Sequence, residues 1–151
     1  MSAVAVTMGA LKALVVDDEA LARARMRTLL SDCKAPAVQS VCEAENAVQA
    51  MAHLQHHPFD VLLLDIHMPG ADGLALAHML QSLPNKPAIV FVTAYAEYAL
   101  QAFELEATDY LTKPVRLERL QAALQKVERR RAAHGAMPTE VAQEEVLVIQ
   151  E

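Results

Sequence analysis

The segment that decides the fold is Val61-Leu62-Leu63-Leu64-Asp65, four apolar residues that end at a carboxylate. A continuous apolar run of this length is typical of a strand that is buried on both faces of a parallel sheet. The chain repeats the pattern in Leu14–Val16 and Ala88–Val92, and a shorter run occurs at Tyr110–Thr112. A polar residue follows each run, and such residues meet at the carboxyl edge of a parallel sheet, where ligands bind.

Strands and helices are predicted to alternate along the whole chain, because apolar residues recur at helical spacing between the strand-like runs. Strands are predicted at Lys12–Val16, Val38–Ala44, Val61–Leu64, Ala88–Val92 and Asp109–Leu111. Helices are predicted at Ala20–Asp32, Ala47–Gln55, Leu74–Ser82, Glu97–Glu104 and Leu117–Ala133. This alternation, with right-handed crossovers, predicts an α/β fold with a doubly wound five-stranded parallel sheet and five helices.

The polar side chains that follow the strands are Asp17, Asp18, Asp65, Thr93 and Lys113. Three carboxylates at one edge repel one another unless a cation neutralises them, and ligands that are all oxygen favour a hard ion such as Mg²⁺. With a hydroxyl and a lysine, this set suits the transfer of a phosphoryl group to a carboxylate. A simpler interpretation also exists, in which Asp65 caps the following turn and Asp17 or Asp18 caps the first helix.

Composition limits the classes of function that fit. The 151 residues support one domain, and a hydrophobic content of 54% supplies a core. A net charge of −6 argues against nucleic-acid binding by this segment alone. Cys33 and Cys42 lack the spacing of metal ligands and are predicted to be reduced thiols. We see neither a signal peptide nor an apolar run long enough for a membrane span, so the sequence predicts a soluble, cytoplasmic protein.

Four ordered motifs carry a family resemblance: Val15-Val16-Asp17-Asp18-Glu19, then Leu64–Pro69 with Gly73, then Thr93-Ala94, then Lys113-Pro114. In this order and spacing they resemble the receiver domain of two-component response regulators, over about Leu11 to Ala133. The resemblance implies a flavodoxin-like sheet with strand order 2-1-3-4-5. The finer pattern in 93–104 and 107–115 resembles receivers of the LytTR (AlgR/LytR-like) transcription regulators.

The resemblance also implies a role for each residue at the site. Asp65 is expected to accept a phosphoryl group from a histidine of a sensor histidine kinase. Asp17, Asp18, Asp65 and the backbone carbonyl of His67 are expected to hold Mg²⁺ or Mn²⁺, with Asp18 as a direct ligand. Asp17 is expected to hold a coordinated water and Lys113. The protein would therefore be a regulator that takes part in its own phosphorylation and dephosphorylation, rather than an enzyme with turnover.

A switch and an output surface follow from the same resemblance. Thr93 and Lys113 are expected to bind phosphoryl oxygens, and Pro114 to follow a cis peptide bond. Movement of Thr93 would let Tyr110 turn and change the face of the fourth helix, fifth strand and fifth helix. That face is expected to form a homodimer on phosphorylation. Its candidate contacts are Tyr98, Ala99, Ala102 and Phe103.

The domain organisation is predicted in three parts. Residues 1–10 are expected to be a disordered extension and residues 11–133 the receiver domain. Residues 134–151 are expected to be a linker and the start of a truncated LytTR-type DNA-binding domain, through which alone the protein would contact DNA. On this interpretation Val146–Ile149 is the first strand of that domain. The alternative is a C-terminal strand that pairs with a neighbouring molecule or stays disordered.

Two other functions fit part of the pattern. A degenerate receiver would act only as a protein-docking module, but the complete set of acidic residues, threonine and lysine argues against it. A metal-dependent phosphatase with an aspartyl-phosphate intermediate would carry a second acid two residues after the nucleophile, where this chain has His67. It would also need a cap insertion for its substrate, and none is visible in the sequence.

Overall fold

The computed structural model describes the backbone of residues 10–139 and the side chains of residues 10–133. The strands are β1 (Ala10–Val16), β2 (Ala37–Ala44), β3 (Val61–Leu64), β4 (Ala88–Thr93) and β5 (Asp109–Thr112). The helices are α1 (Ala20–Ser31), α2 (Ala47–His56), α3 (Gly73–Leu80), α4 (Ala99–Glu104) and α5 (Leu117–Thr139), and a 3₁₀ turn at Ala96–Tyr98 precedes α4.

The five strands form one parallel sheet in the order β2-β1-β3-β4-β5, so the predicted fold class is confirmed. Every residue of β3 and β4 is buried, because helices cover both faces of the sheet centre. Leu63 packs in the core beneath α1 and α5. Leu62 and Leu64 point to the opposite core, beneath α2, α3 and α4. The alternation of side chains along one strand therefore fills both layers.

Two helices differ from the prediction. The predicted fourth helix begins as the 3₁₀ turn at Ala96–Tyr98 before it becomes α4. Helix α5 continues to Thr139, six residues past its predicted end at Ala133. The stretch Glu128–Ala133, which lies before the predicted end, consists of strong helix formers, whereas the six added residues include Gly135 and Pro138, so local propensity does not explain the extension. Within Glu128–Ala133, Arg131 donates from Nη1 to the carbonyl oxygen of Ala10 at 2.8 Å, which ties the helix to β1.

The predictions for residues 1–9 and 140–151, including Val146–Ile149, lie outside the described residues. Ala10, predicted to belong to the N-terminal extension, is instead the first residue of β1. Within the described part of the chain, no helix has the length and apolar character that crossing a membrane requires.

Asp109 anchors β5 to α5 and carries the best-paired carboxylate of the described residues. Arg119 donates to its two carboxylate oxygens at 2.7 and 2.8 Å, and Lys126 Nζ lies 3.2 Å from Asp109 Oδ2. The Asp109 side chain is 7% exposed. Burial by itself would raise the pKa of Asp109, but the hydrogen bonds from Arg119, the Tyr110 backbone and Lys126 outweigh it and lower the pKa to about 2.

Asp109→Asn is expected to lower the free energy of unfolding by about 2 kcal/mol at neutral pH. Because the pKa of the folded state is depressed, this contribution is complete above the ordinary aspartate pKa. It is then lost as the pH falls towards about 2. Urea unfolding at several pH values measures this contribution. The difference in free energy of unfolding between wild type and variant should become smaller as the pH falls. Asp32→Asn, at an exposed aspartate, is the control, and a difference independent of pH would contradict the ion-pair argument.

Candidate functional site

The candidate site lies at the carboxyl edge of the sheet, where four neighbouring strands end. Asp17 follows β1, Asp65 follows β3, Thr93 ends β4 and Lys113 follows β5. The backbone hydrogen bonding of the sheet continues through these residues. The Asp65 N–H donates to the Val16 carbonyl at 3.0 Å, and the Lys113 N–H donates to the Thr93 carbonyl at 2.8 Å. Parallel pairing therefore brings the predicted residues to one edge.

Three carboxylates converge there. One oxygen each of Asp17, Asp18 and Asp65 lies within 4.8 Å of the others. Asp17 and Asp65 are buried, whereas Asp18 is exposed. An oxygen-only set with two buried charges and one open carboxylate has the donor chemistry of a Mg²⁺ or Mn²⁺ site, because such ions keep several waters and bind through few protein ligands.

Lys113 supplies a positive charge to this cluster. Its Nζ donates to Asp17 Oδ2 at 2.8 Å and lies 3.6 Å from Asp65 Oδ2, and its peptide bond to Pro114 is cis. Burial would lower the pKa of Lys113, but the hydrogen bond to Asp17 and the charge of Asp65 outweigh it and raise the pKa. The lysine therefore stays protonated at neutral pH.

The pKa of Asp65 is raised, chiefly because the carboxylate is buried and also because Asp17 repels it; Lys113 opposes both effects. The Oδ1 atom of Asp65 accepts a hydrogen bond from the backbone N–H of Ile66 at 2.8 Å. Similarly, Asp17 Oδ1 accepts from the Glu19 N–H at 2.9 Å. Each buried carboxylate thus accepts a nearby backbone N–H with Oδ1 and faces Lys113 Nζ with Oδ2. The local hydrogen bond therefore leaves one oxygen of each carboxylate directed into the site.

Thr93 is fully buried, and its Oγ1 accepts a hydrogen bond from the Tyr95 N–H at 3.3 Å. Tyr110, half-buried on β5, donates its hydroxyl to the Tyr95 carbonyl oxygen. The loop that follows Thr93 is therefore held by Tyr110, and movement of either residue changes the surroundings of the other.

Two further features surround the site. The exposed ring of His67 places Nε2 3.1 Å from the Tyr98 hydroxyl and its centroid 4.4 Å from that of Tyr95, which forms an aromatic rim beside the site. Gly73 donates its N–H to the Ile66 carbonyl at 2.7 Å, and a Cβ there would lie 2.0 Å from the Asp65 carbonyl oxygen. The family resemblance places His67 and Tyr95, two positions after Asp65 and Thr93, at the rim of the site, whereas no local signal marked the Gly73 contact.

Residues 13–125 match the family model described as the response regulator receiver domain. The chain belongs to the response-regulator receiver family. This receiver is 40% identical over 131 residues to the sensory transduction protein LytT of Bacillus anthracis, which covers 87% of the chain and 52% of LytT. It is 38% identical over 117 residues to the transcriptional regulatory protein LytR of Staphylococcus aureus strain N315, which covers 78% of the chain and 47% of LytR.

This receiver therefore spans about half the length of the curated relatives it matches. Among solved structures, the response regulatory domain of mrkE from Klebsiella pneumoniae superposes with a TM-score of 0.73 and 35% identity, over 82% of the chain and 99% of that domain. TrrA from Thermotoga maritima, solved in complex with Mg²⁺ and BeF, gives a TM-score of 0.65 and 28% identity, over 78% of the chain and 98% of that protein. Receivers are regulatory domains that work with histidine kinases in two-component systems.

Proposed function

We propose that this receiver accepts a phosphoryl group on Asp65 from a histidine of a sensor histidine kinase, and that phosphorylation controls an output. The observation that supports this most strongly is the buried Asp65 carboxylate, which lies within 4.8 Å of Asp17 and Asp18 and 3.6 Å from Lys113. A carboxylate among like charges needs cations to become a productive nucleophile, and the site supplies one cation and the ligands for another.

In the proposed transfer, a carboxylate oxygen of Asp65 attacks the phosphorus atom carried on the kinase histidine. The phosphorus–nitrogen bond breaks, its electron pair returns to the imidazole, and an acyl phosphate forms on Asp65. Lys113 pairs with one phosphoryl oxygen and the Thr93 hydroxyl donates to another, which offsets the charge that develops on these oxygens. Water later cleaves the acyl phosphate, restores the carboxylate and releases inorganic phosphate.

The residues that would hold Mg²⁺ or Mn²⁺ are Asp17, Asp18, Asp65 and the backbone carbonyl of His67. When bound, the ion would supply positive charge that offsets the carboxylates and the incoming phosphoryl group. Asp18 is the proposed direct ligand, since its exposed carboxylate has neither the Lys113 contact nor the turn cap of Asp17. Asp17 is proposed to orient a coordinated water and Lys113.

Asp18→Ala is therefore expected to weaken Mg²⁺ binding more than Asp17→Ala does. Loss of a direct carboxylate ligand removes a full charge from the coordination sphere, whereas loss of a water-holding group acts indirectly. Isothermal titration of Mg²⁺ into each variant measures the two dissociation constants, with Asp72→Asn in the same part of the fold as control. If Asp17→Ala instead raises the Mg²⁺ dissociation constant more, Asp17 is the direct ligand and Asp18 the residue that holds the water.

The proposed output surface is the face of α4, β5 and α5. Leu100 and Phe103 on α4 are 67% and 78% exposed, and they are the two large apolar residues that we propose for this face. Ala102 was expected there, but it is buried at 1% exposure because it packs against the core beneath α4. Tyr98 is half-buried and also packs against that core, so its substitution would disturb the site as well.

Phe103→Asp is expected to weaken the phosphorylation-dependent homodimer at least tenfold, because a charge would replace an apolar contact. Sedimentation equilibrium with and without a phosphodonor measures the dimer dissociation constant. Val48→Asp on α2 is the matched control, since Val48 is 79% exposed but lies on another face. Equal changes in the dimer dissociation constant for the two substitutions would show that α4 is not part of the dimer surface.

We also propose that the output is transcriptional, through a LytTR-type DNA-binding domain in the part of the protein that follows this receiver. The support is the match to relatives named LytT and LytR, of which the chain spans about half. The net charge of −6 also argues against DNA binding by the receiver itself, so we propose that another domain makes the DNA contacts. We assign the protein to the cytoplasm, where its DNA target would lie. Phosphorylation-dependent DNA binding by the longer protein tests this output.

The deciding experiment for the receiver itself is incubation with acetyl phosphate and Mg²⁺. We expect one hydroxylamine-labile phosphoryl group per chain, absent when Mg²⁺ is chelated. Absence of labelling from acetyl phosphate and from histidine-kinase donors would instead identify the chain as a receiver that acts only by docking to other proteins.

A further inference from the structure

We infer that Arg23 is a positioning residue that orients the acidic pair Asp17 and Asp18 for binding of the cation. This inference rests on the proposed Mg²⁺-dependent function and adds a residue to it. Arg23 lies on α1, six positions after Asp17, and its side chain is only 14% exposed. Burial of a long cationic side chain beside the site requires specific partners, and the structure provides two.

The guanidinium of Arg23 connects three parts of the fold. Its Nη1 donates to the carbonyl oxygen of Asp17 at 2.8 Å, and its Nε donates to Glu43 Oε1 at 3.0 Å. Glu43 lies on β2, in register with Val15 of β1. The planar fork of an arginine can hold two acceptors at once in fixed directions, which a lysine ammonium does not do. Arg23 therefore fixes the end of β1 against both α1 and β2.

The contacted carbonyl belongs to the peptide unit that joins Asp17 to Asp18. Because a peptide unit is planar, holding its carbonyl oxygen also sets the direction in which the chain enters Asp18. The other polar groups of Asp17 already have partners in Ala44, Glu19 and Lys113. Asp18 is exposed, so the orientation of the proposed direct ligand depends on this peptide plane. Residues that orient a metal ligand through hydrogen bonds, without touching the metal, strongly affect metal affinity.

Arg27 offers a matched control on the same helix. Its Nε lies 3.2 Å from Glu43 Oε2, and its Nη1 donates to the Val41 carbonyl at 3.0 Å. Like Arg23, it makes one ion pair to Glu43 and one hydrogen bond to a backbone carbonyl. Removal of either arginine leaves the same formal charge around Glu43. The two variants differ in whether the carbonyl of Asp17 keeps its donor and also in burial, since the side chain of Arg23 is 14% exposed and that of Arg27 is 49% exposed.

The experiment is calorimetric titration of Mg²⁺ into Arg23→Ala and Arg27→Ala without a phosphodonor, with folding verified by urea unfolding. We expect the Mg²⁺ dissociation constant of Arg23→Ala to rise about tenfold over wild type. That of Arg27→Ala should stay at the wild-type value. The same dissociation constant in both variants would overturn the inference.

Arg23→Lys and Arg27→Lys keep the charge and decide the question if Arg23→Ala does not fold. Only the first should weaken Mg²⁺ binding, by less than Arg23→Ala does, because an ammonium can still donate to the Asp17 carbonyl but its rotatable N–H groups on a flexible stem do not fix the direction of that hydrogen bond. Wild-type protein distinguishes failure of the proposed function from failure of the role of Arg23. If it neither binds Mg²⁺ nor takes label from acetyl phosphate, the proposed function fails; if it does both and the arginine variants bind alike, only the role of Arg23 is refuted.

Discussion

Asp65→Asn is expected to reduce phosphoryl uptake from acetyl phosphate more than about a hundredfold, because an amide oxygen is not a comparable nucleophile. The substitution is nearly isosteric, and the amide oxygen can still accept the Ile66 N–H that Asp65 Oδ1 accepts at 2.8 Å. Labelling with radioactive acetyl phosphate, followed by hydroxylamine treatment, measures the uptake. A hydroxylamine-labile phosphoryl group on the variant would show that another residue is the acceptor.

Two controls make this result specific. Asp72→Asn removes a carboxylate seven residues away, where Asp72 caps α3 by accepting the Ala75 N–H at 2.9 Å. Asparagine caps equally well, so this variant should be labelled like wild type.

Burial and the charge of Asp17 raise the pKa of Asp65, so its ionised form costs stability at neutral pH. Asp65→Asn should therefore melt no lower than wild type, which separates loss of chemistry from loss of fold.

Gly73→Ala is expected to lower the free energy of unfolding by about 3 kcal/mol, although alanine favours helices and Gly73 opens α3. The added Cβ would lie 2.0 Å from the carbonyl oxygen of Asp65 and 2.9 Å from the Cα of Ile66. Both contacts are with backbone, so a side-chain rotation cannot relieve them. The chain that carries Asp65 would have to shift, and phosphoryl uptake should fall as well.

Gly70→Ala is the comparison for this variant. Gly70 has a φ of +82°, and a Cβ added there would meet nothing within 4 Å, so its substitution costs conformational energy alone, about 1–2 kcal/mol. Urea unfolding of both variants measures the two losses. A smaller loss for Gly73→Ala than for Gly70→Ala would contradict the close approach of α3 to the Asp65 backbone.

Most of the fold was predictable because its signals are local. The apolar runs at Leu14–Val16, Val61–Leu64 and Ala88–Val92 are short and continuous, which is typical of strands covered on both faces. Together with the alternating helices they predict the parallel sheet. The polar residue after each run could then be assigned to one edge, since parallel strands end on the same side. The boundaries of α4 and α5 were less predictable, because the first turn of a helix can be 3₁₀ and helix ends are not marked by the period of the apolar residues.

The sequence by itself determined which residues reach the site: Asp17, Asp65 and Lys113 each follow a strand, and parallel strands end at one edge of the sheet, where these side chains meet. Only the tertiary structure decided what holds them there. Arg23 meets the Asp17 carbonyl, Gly73 meets the Asp65 carbonyl, and neither pairing follows from a periodic pattern. The physical reason is that a backbone carbonyl is present at every residue, so no sequence signal distinguishes the one that a distant side chain will contact.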